Sequence, residues 1–424
     1  MIWRFSLYGF LKNQKYYEMV LFLAFVQRGL SFAVIGLLIG FREVMINLME
    51  VPSGAIADLL GRRKSMILSF VGYILSFVLF SFAQGAPLFF VGMVFFAVGD
   101  AFRTGTHKAM IFTWLKLQGR ETERTRVYGY TRSWSQNGTA LAAVISAIIV
   151  FTTQDYTSVF LWCIIPYVLG IINFLGYPKE LDGDVKGHTS LGEVARHLKT
   201  AFAAAVRKAP LRRVLLEAMG FHGIFKASKD YLQPILQGAA GVWISANLAG
   251  RLDLGSLSGP QKTALLFGPV YFVLAIVSSI SSRHVHRVVD RFSDDERAAR
   301  GLWIITFAVF AGLVPMLFWD VHAGMIGGFV LVYILHNMWR PLIVGRVDAH
   351  AEHTQKATVL SIESQASSVA TMIIAPIIGF SVDYLGKHPF GGQFWPIGLA
   401  GTLISLTFLL TARLSAPVEE TADE

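Results

Sequence analysis

Residues 54–64 have the sequence Gly-Ala-Ile-Ala-Asp-Leu-Leu-Gly-Arg-Arg-Lys and directly follow a long apolar stretch of the chain. One carboxylate, a glycine and three consecutive cations therefore stand where that apolar stretch ends. A long apolar helix is typical of a membrane span, and Lys and Arg at its end are typical of the cytoplasmic side. The stretch predicts a short turn between two membrane-spanning helices.

The spacing of these residues resembles a known sequence motif. Five positions match the pattern G-x-x-x-D-x-x-G-R-[RK], which is the signature loop of the major facilitator superfamily of transporters. The resemblance implies an all-α membrane protein with 12 transmembrane helices, arranged as two pseudo-symmetric six-helix bundles. It also implies a conformational latch between the bundles, formed by Gly54, Asp58, Gly61, Arg62 and Arg63.

The resemblance assigns roles to parts of this loop. In the superfamily the aspartate meets the cytoplasmic end of the eleventh helix in the outward-open state, which places Asp58 near Ala357 and Thr358 in that state. Gly54 is expected to let two helices approach closely, and Gly61 to form the tight turn. A latch of this kind concerns conformation and carries no information about the substrate.

The composition independently predicts a membrane protein. Hydrophobic residues make up 54% of the 424 residues. Charged residues make up only 15%, against roughly 25% in soluble domains. The apolar residues form stretches near the ~20 residues that cross a bilayer, so the lipid bilayer is the expected partner. Numbered as spans 1 to 12, these stretches cover residues 8–27, 32–57, 65–84, 88–113, 127–151, 157–176, 213–236, 263–284, 301–319, 324–345, 357–381 and 394–412.

The distribution of positive charge predicts the orientation of the chain. The formal net charge is +9, and most of the 37 Lys and Arg fall in the termini and in loops on one predicted side of the membrane. Cytoplasmic loops carry such an excess, so both termini are expected in the cytoplasm, and no nucleic-acid partner is predicted. The segment Glu50-Val51-Pro52-Ser53 resembles a bacterial subset of the superfamily, which implies a multi-pass protein of the cell inner membrane.

The longest hydrophilic interruption divides the chain into two halves. The predicted domains are an N-terminal six-helix bundle (1–176), a cytoplasmic linker (177–212), a C-terminal six-helix bundle (213–413) and a cytoplasmic tail (414–424). Within the linker, the capping pair Ser190 and Glu193 precedes apolar residues at three- and four-residue spacing, which predicts an amphipathic helix. Residues 289–297 weakly repeat the signature loop but lack its glycines.

Ionisable side chains inside the predicted spans are the candidate site residues, because charge in hydrocarbon is costly and is kept for function or pairing. Arginines in spans 4 and 10 lie at similar depth and would grip a carboxylate or phosphate from opposite walls. The alternative is that Asp100 neutralises the arginine in its own helix. The predicted substrate-binding residues are Arg103, His107, Lys226, His336 and Arg340.

A second group of ionisable residues is predicted to carry protons or to form ion pairs. Carboxylates shielded from water can exchange a proton near neutral pH. Arg132 in span 5 and Glu363 in span 11 occupy similar places in the two halves and are expected to pair or to take part in proton movement. The neighbours Arg42 and Glu43 project from different helix faces and are expected to need separate partners. The candidates are Glu18, Glu43, Asp100, Arg132 and Glu363.

The sequence favours one function over three others. Neither metal-ligand spacing nor a catalytic constellation is present, so no metal, no cofactor and no enzyme activity is predicted. The favoured function is a secondary active transporter that moves a small solute by alternating access, as a monomer and coupled to protons. The many charges inside the spans favour an organic anion or a zwitterion. The alternatives are a hydrophobic drug or toxin efflux pump, and a non-transporting receptor or assembly scaffold on the same fold.

Overall fold

The computed structural model describes residues 1–103, 106–182, 207–247, 256–289, 295–350, 356–388 and 390–411. Within the helices some side chains also lie outside the description, among them those of Asp58, Ala357 and Thr358. The predicted amphipathic helix of the linker, residues 290–294 of the repeated loop, and the tail 414–424 fall outside the described residues.

The described secondary structure is helical throughout, as expected for an all-α protein. The first eight helices are α1 (Ile2–Lys12), α2 (Leu21–Gln27), α3 (Phe32–Leu60), α4 (Arg62–Phe82), α5 (Ala86–Arg103), α6 (Thr106–Leu117), α7 (Arg124–Thr153) and α8 (Ser158–Leu175). The next seven are α9 (Ala209–Ser228), α10 (Leu232–Asn247), α11 (Gly259–Val289), α12 (Asp295–Phe318), α13 (His322–His350), α14 (Lys356–Lys387) and α15 (Trp395–Thr411).

Most of the predicted spans correspond to helices that can cross a bilayer. In the part of the chain that the structure describes, nine helical segments are long and apolar enough to do so, and they overlap spans 2–6 and 8–11. Helix α15, which overlaps span 12, is apolar but shorter. A multi-pass membrane protein is therefore established, while the total of 12 spans stays a prediction.

Spans 1 and 7 are each broken by a 3-10 turn. The turn Tyr16–Met19 separates α1 from α2, and the turn Lys229–Tyr231 separates α9 from α10. The two breaks meet through Gln233, whose Oε1 accepts the backbone N–H of Phe22 at 2.8 Å. Its Nε2 donates to the carbonyl of Glu18 at 3.1 Å. A side chain that satisfies freed backbone groups makes such a break possible at membrane depth.

The two predicted halves pack closely along α3 and α14. A Cβ on Gly36 would overlap the carbonyl oxygen of Ala375, and a Cβ on Gly379 would overlap that of Phe32. Glycine permits this close approach of two helix backbones. The carboxylate of Asp383 accepts the backbone N–H of Phe32 at 3.0 Å and so caps the start of α3. We call this end of the molecule, where α3 begins, the closed end.

A second contact between the halves lies at the same end. Nε2 of Gln261, in the first turn of α11, donates to the carbonyl of Phe151 near the end of α7 at 3.2 Å. The turn after α7 lies beside the end of α2, because the backbone N–H of Tyr156 donates to Oε1 of Gln27 at 2.9 Å. Two pairs of helices, α3 with α14 and α7 with α11, therefore join the halves at the closed end.

Candidate functional site

A cavity of about 290 Å³ lies between the two halves, beside the breaks in spans 1 and 7. On one side its walls come from the turn Tyr16–Met19, α3 and α5. On the other side they come from α9, the turn Lys229–Tyr231 and α14. The cavity is lined by both signs of charge, and we call it the charged cavity. Its charged lining residues are Lys15, Arg42, Lys226, Lys229, Glu18, Glu43, Glu50, Asp100 and Asp230.

Glu43 is the centre of pairing in the charged cavity. Its Oε1 lies 2.9 Å from Nη2 of Arg42, and its Oε2 lies 3.0 Å from Nζ of Lys226. Oγ of Ser368 donates to the same Oε2 at 2.7 Å. The expectation that Arg42 and Glu43 need separate partners is wrong. Consecutive helix residues project about 100° apart, but the arginine side chain is long enough to bridge that angle.

Glu18 lies at the break in span 1, between cations of the two halves. Its carboxylate is 3.5 Å from Nζ of Lys15 and 4.0 Å from Nζ of Lys229. Nζ of Lys229 is also 2.8 Å from Oδ1 of Asp230. The side chain of Glu18 is 40% exposed, so it remains accessible to a solute in the cavity.

The two arginines predicted to bind an anion, Arg103 and Arg340, are each paired with a carboxylate of the protein. Oδ1 of Asp100 lies 2.9 Å from Nη2 of Arg103 and also accepts a hydrogen bond from the hydroxyl of Tyr73. Nη1 of Arg340 donates to Oε2 of Glu363. Neither arginine belongs to the described lining of the charged cavity. The structure thus has the intrahelical neutralisation of Arg103 that the sequence left open as the alternative.

Glu363 and Arg132 do not pair in this conformation. Besides its bond to Arg340, Glu363 has Oε1 at 3.8 Å from Nε2 of His222, and its side chain is 1% exposed. Arg132 forms no ion pair or hydrogen bond with the described residues. The sequence could not reveal this choice, because spans 5, 7 and 10 all carry a basic group at comparable depth.

The two histidines among the predicted substrate-binding residues lie in aromatic stacks. The ring of His107 stacks on Tyr8, and that of His336 on Phe225, each with a centroid distance of 3.8 Å. Such stacks support packing. Among the described residues, Lys226 is the predicted substrate-binding residue that lines the charged cavity. No group of three or more described His, Cys, Asp or Glu is placed to hold a metal ion.

The signature loop forms a tight turn at Gly61. This glycine has a φ of 86°, and a Cβ there would lie 2.9 Å from Cβ and Cγ of Asp182. The backbone N–H of Arg63 donates to Oδ1 of Asp182 at 2.8 Å. Nη1 of Arg62 donates to Oγ1 of Thr113 at 2.8 Å. The loop is therefore bound to α6 of its own half and to Asp182 at the start of the linker.

The other two latch positions are Asp58 and Gly54. Asp58 has its side chain outside the described residues, so its approach to the start of α14 stays a prediction. No described heavy atom lies within 4 Å of the place where Gly54 would carry a Cβ. The close approach expected at Gly54 is therefore not present in this conformation. One turn earlier, Glu50 still accepts a hydrogen bond from Oγ of Ser361 at 2.8 Å.

A buried charge network in the second half was not predicted from the sequence. Arg346, whose side chain is 1% exposed, donates through Nη1 to Oε2 of Glu217 and through Nη2 to Oε2 of Glu296 at 2.8 Å. Predicted span 10 ends at residue 345, so this arginine fell just outside the membrane. The available signal was Glu217 inside span 7, a carboxylate that needs a cation partner when buried.

Comparison with known protein families decides the class of the protein. The family model described as Major Facilitator Superfamily matches residues 17–375. The protein belongs to the Major Facilitator Superfamily. The resemblance at the signature loop is thereby confirmed, since the match covers most of both predicted halves. No curated protein matches the sequence.

Several solved transporter structures share the fold of this superfamily member. The nucleoside transporter NupG is 10% identical, with 97% of this chain and 98% of that chain covered and a TM-score of 0.75. A bacterial homologue of the human lysosomal transporter Spinster, in an inward-facing and unoccupied conformation, is 15% identical, with 97% and 94% covered and a TM-score of 0.65. A POT family transporter in complex with a thioalcohol-conjugated peptide is 15% identical, with 97% and 96% covered and a TM-score of 0.65. At such identities the likeness concerns the fold and not the substrate.

Proposed function

We propose that this superfamily member is a secondary active transporter of a small charged solute that works by alternating access. The observation that carries the proposal is the charged cavity, which both halves line beside the breaks in spans 1 and 7. A site shared by two halves opens to either side of the membrane as the halves rock against each other. Superfamily membership supports secondary transport, and the chemistry of the cavity supports the choice of solute.

The proposed topology has 12 membrane-spanning helices in two six-helix bundles, residues 1–176 and 213–413, joined by the linker 177–212. Both termini and the tail 414–424 are proposed to lie in the cytoplasm, because most Lys and Arg outside the spans fall on that side. The signature loop then faces the cytoplasm and the closed end faces outward. A monomer in the cell inner membrane is the proposed functional unit.

A zwitterion or an organic anion suits the charged cavity better than a hydrophobic drug. Four cations and five carboxylates line it, and an apolar solute would strip water from them without replacing their hydrogen bonds. Glu18, whose side chain is 40% exposed in this cavity, offers a carboxylate to the cationic group of a zwitterion.

Proton coupling is proposed to involve Glu363. The carboxylate is buried, bound to Arg340 of α13 and close to His222 of α9, so it touches two helices of the second half. A shielded carboxylate that exchanges its cation partner for a proton links protonation to conformation. Glu18 and Glu43 are the other proposed proton carriers, because both line the charged cavity.

Uptake into proteoliposomes tests the transport proposal. Full-length protein is reconstituted with an imposed pH gradient and offered radiolabelled amino acids, small organic acids, amines and hydrophobic dyes. We expect accumulation of a zwitterion or an organic anion, and loss of that accumulation when the gradient is collapsed. Lys229→Gln should reduce the uptake, while Lys116→Gln, at an exposed position of α6, should not.

The same assay separates the proposal from its alternatives. Accumulation of hydrophobic dyes with no charged solute would indicate a drug or toxin efflux pump. Failure of correctly folded protein to move any solute in the panel, with or without a gradient, would overturn the transport proposal.

A further inference from the structure

A second cavity of about 290 Å³ lies within the first half, between α1, α6 and α7. It differs from the charged cavity in the sign of its lining. Lys12 and Arg132 are its charged members, and none of its described lining residues is a carboxylate. Asn13, Ser135 and Gln136 add polar side chains to its lining. We call this space the basic cavity.

The two cations of the basic cavity lack the neutralisation that other cations of this protein have. Arg42, Arg103 and Arg340 each have a carboxylate within 2.9 Å. Lys12 and Arg132 have no ion-pair partner among the described residues. Both therefore present positive charge to the cavity without an internal counter-ion.

Neighbouring cations add to the excess of positive charge at the basic cavity. Nζ of Lys12 lies over the ring of Tyr8, 5.4 Å from its centroid, which supplies a weak partner and no negative charge. The charges of Arg103, Lys15 and Arg132 also act on Lys12. Like charges gathered away from bulk water repel one another, and a bound anion relieves that repulsion.

The basic cavity shares lining residues with a third cavity, which lies between the halves. Arg132, Gln136 and Thr139 line the basic cavity and also line this third cavity of about 230 Å³. The third cavity reaches Asn337 of α13 in the second half and Glu18 at the break in span 1. Glu18 in turn lines the charged cavity. The three cavities thus form a row. Arg132 lines both the basic cavity and the third cavity, and Glu18 lines both the third cavity and the charged cavity.

We propose that the basic cavity binds the anionic group, a carboxylate or a phosphate, of the transported solute through Arg132 and Lys12. The proposal rests on the proposed transport function, because it assigns one part of the same solute. The guanidinium of Arg132 matches two oxygens of such a group, and the ammonium of Lys12 adds a compact positive charge. Glu18, at the far side of the third cavity, faces a cationic group of the solute when it is a zwitterion.

Anion binding to the purified full-length protein in detergent tests this subsite. Inorganic phosphate and acetate are titrated against chloride at constant ionic strength, and the midpoint of thermal unfolding is followed by intrinsic fluorescence. We expect a saturable rise for the wild type. Removing one charge-assisted contact in Arg132→Gln or Lys12→Gln should weaken apparent affinity about tenfold or more.

Two control variants are matched in charge and position. Arg126→Gln removes a guanidinium from an exposed position of α7, and Lys116→Gln removes an ammonium from an exposed position of α6. Both should titrate like the wild type. Arg132→Lys keeps the charge without the two-pronged geometry, so we expect an intermediate affinity.

Several outcomes would overturn the subsite. These are equal titrations of the wild type and both neutral variants, or a wild type with no saturable response to either anion. A response to phosphatidylglycerol, but to neither inorganic phosphate nor acetate, would also overturn it and indicate a lipid headgroup site. If Arg132→Gln does not fold, as judged by gel filtration, Lys12→Gln and Arg132→Lys decide the question.

Binding and transport fail in distinguishable ways. Solute uptake that persists unchanged in Arg132→Gln and Lys12→Gln would overturn the subsite and leave the transport function standing. Anion binding that depends on Arg132, in a protein that moves no solute, would overturn the transport function and with it the link between this cavity and a transported solute.

Discussion

Glu43 holds groups from three helices, which makes it central to the charged cavity. Its partners are Arg42 beside it in α3, Lys226 of α9 and Ser368 of α14. The sequence could place this carboxylate inside a span, but its partners in α9 and α14 are 183 and 325 positions away. The spacing of charged residues along the chain therefore does not show which of them form ion pairs in this membrane protein.

Glu43→Gln is expected to destabilise the protein. The amide cannot balance Arg42 and Lys226, and leaving a buried charge without its partner costs about 3 kcal/mol or more. The measurement is the midpoint of thermal unfolding in detergent, which should fall clearly. Glu123→Gln, which breaks an accessible pair with Arg120, should leave the midpoint unchanged. A Glu43→Gln protein as stable as wild type would show that Glu43 does not organise the cavity.

Glu363→Gln is expected to change the pH dependence of transport. The amide can neither bind a proton nor balance Arg340, so the proton-linked part of the pH profile should flatten. The measurement is the initial uptake rate in proteoliposomes across a series of pH values. Glu121→Gln, on an exposed turn, serves as the control. A profile identical to that of the wild type would exclude Glu363 as the proton carrier.

The signature turn and the broken spans show how individual elements are fixed. Gly61 permits a backbone conformation that brings the start of α4 against Asp182, and the motif pattern indicated the turn correctly. The break in span 1 was not foreseen, because an apolar run has the same composition whether its helix is continuous or broken. The hydrogen bonds from Gln233 to the backbone of Phe22 and Glu18 can form only when spans 1 and 7 lie side by side.

Gly61→Ala is expected to lower stability through two separable effects. The φ of 86° is strained for alanine, at a cost of about 1–3 kcal/mol, and the new Cβ would also press on Asp182. Gly119→Ala, with a φ of 65° and open space, isolates the backbone effect. Gly54→Ala, helical and in open space, should be neutral or stabilise by about 0.5–1 kcal/mol. The thermal midpoint should be lowest for Gly61→Ala, higher for Gly119→Ala and highest for Gly54→Ala. Midpoints that do not follow this order would contradict the assignment of the turn.

At the scale of the whole molecule, the two halves are joined most closely at the closed end. Gly36 and Gly379 allow α3 and α14 to touch, and Asp383 caps the start of α3. Around Gly54, near the other end of α3, the described residues leave open space. With the proposed orientation, this conformation is closed to the outside, and the other conformation of the cycle requires the closed end to part.

Gly36→Ala is expected to favour opening of the closed end. The added Cβ overlaps the backbone of α14, so the packed conformation loses stability relative to one in which the helices separate. Spin labels are attached to Gln84→Cys and Lys387→Cys at the closed end, with the buried Cys163 replaced by Ala. Pulsed electron paramagnetic resonance then measures the distance between the two labels. The mean distance should increase. Gly312→Ala, in open space on α12, should give the wild-type distance.

Asp58→Asn is expected to slow the conformational cycle. The superfamily resemblance assigns Asp58 to a latch that exists in the opposite conformation, and loss of such a coupling changes an equilibrium about fivefold or more. The uptake rate should fall while the apparent affinity for the solute stays nearly constant. Glu121→Gln is the matched control, and an unaltered uptake rate in Asp58→Asn would remove the latch assignment.

The sequence by itself determined the family, the membrane environment and the positions of most spans. These follow from local properties: apolar length, glycine at the turn and the motif from Gly54 to Arg63 are all visible along the chain. It also identified Glu18, Glu43, Asp100 and Lys226 as charged residues in the membrane, because a charge within an apolar run is conspicuous.

Only the tertiary structure decided which charges neutralise one another. It paired Arg340 with Glu363 and Arg42 with Glu43, and it left Arg132 and Lys12 without a counter-ion among the described residues. The physical reason is that Coulomb energy depends on distances of a few ångströms between helices, and those distances arise only when the helices are packed.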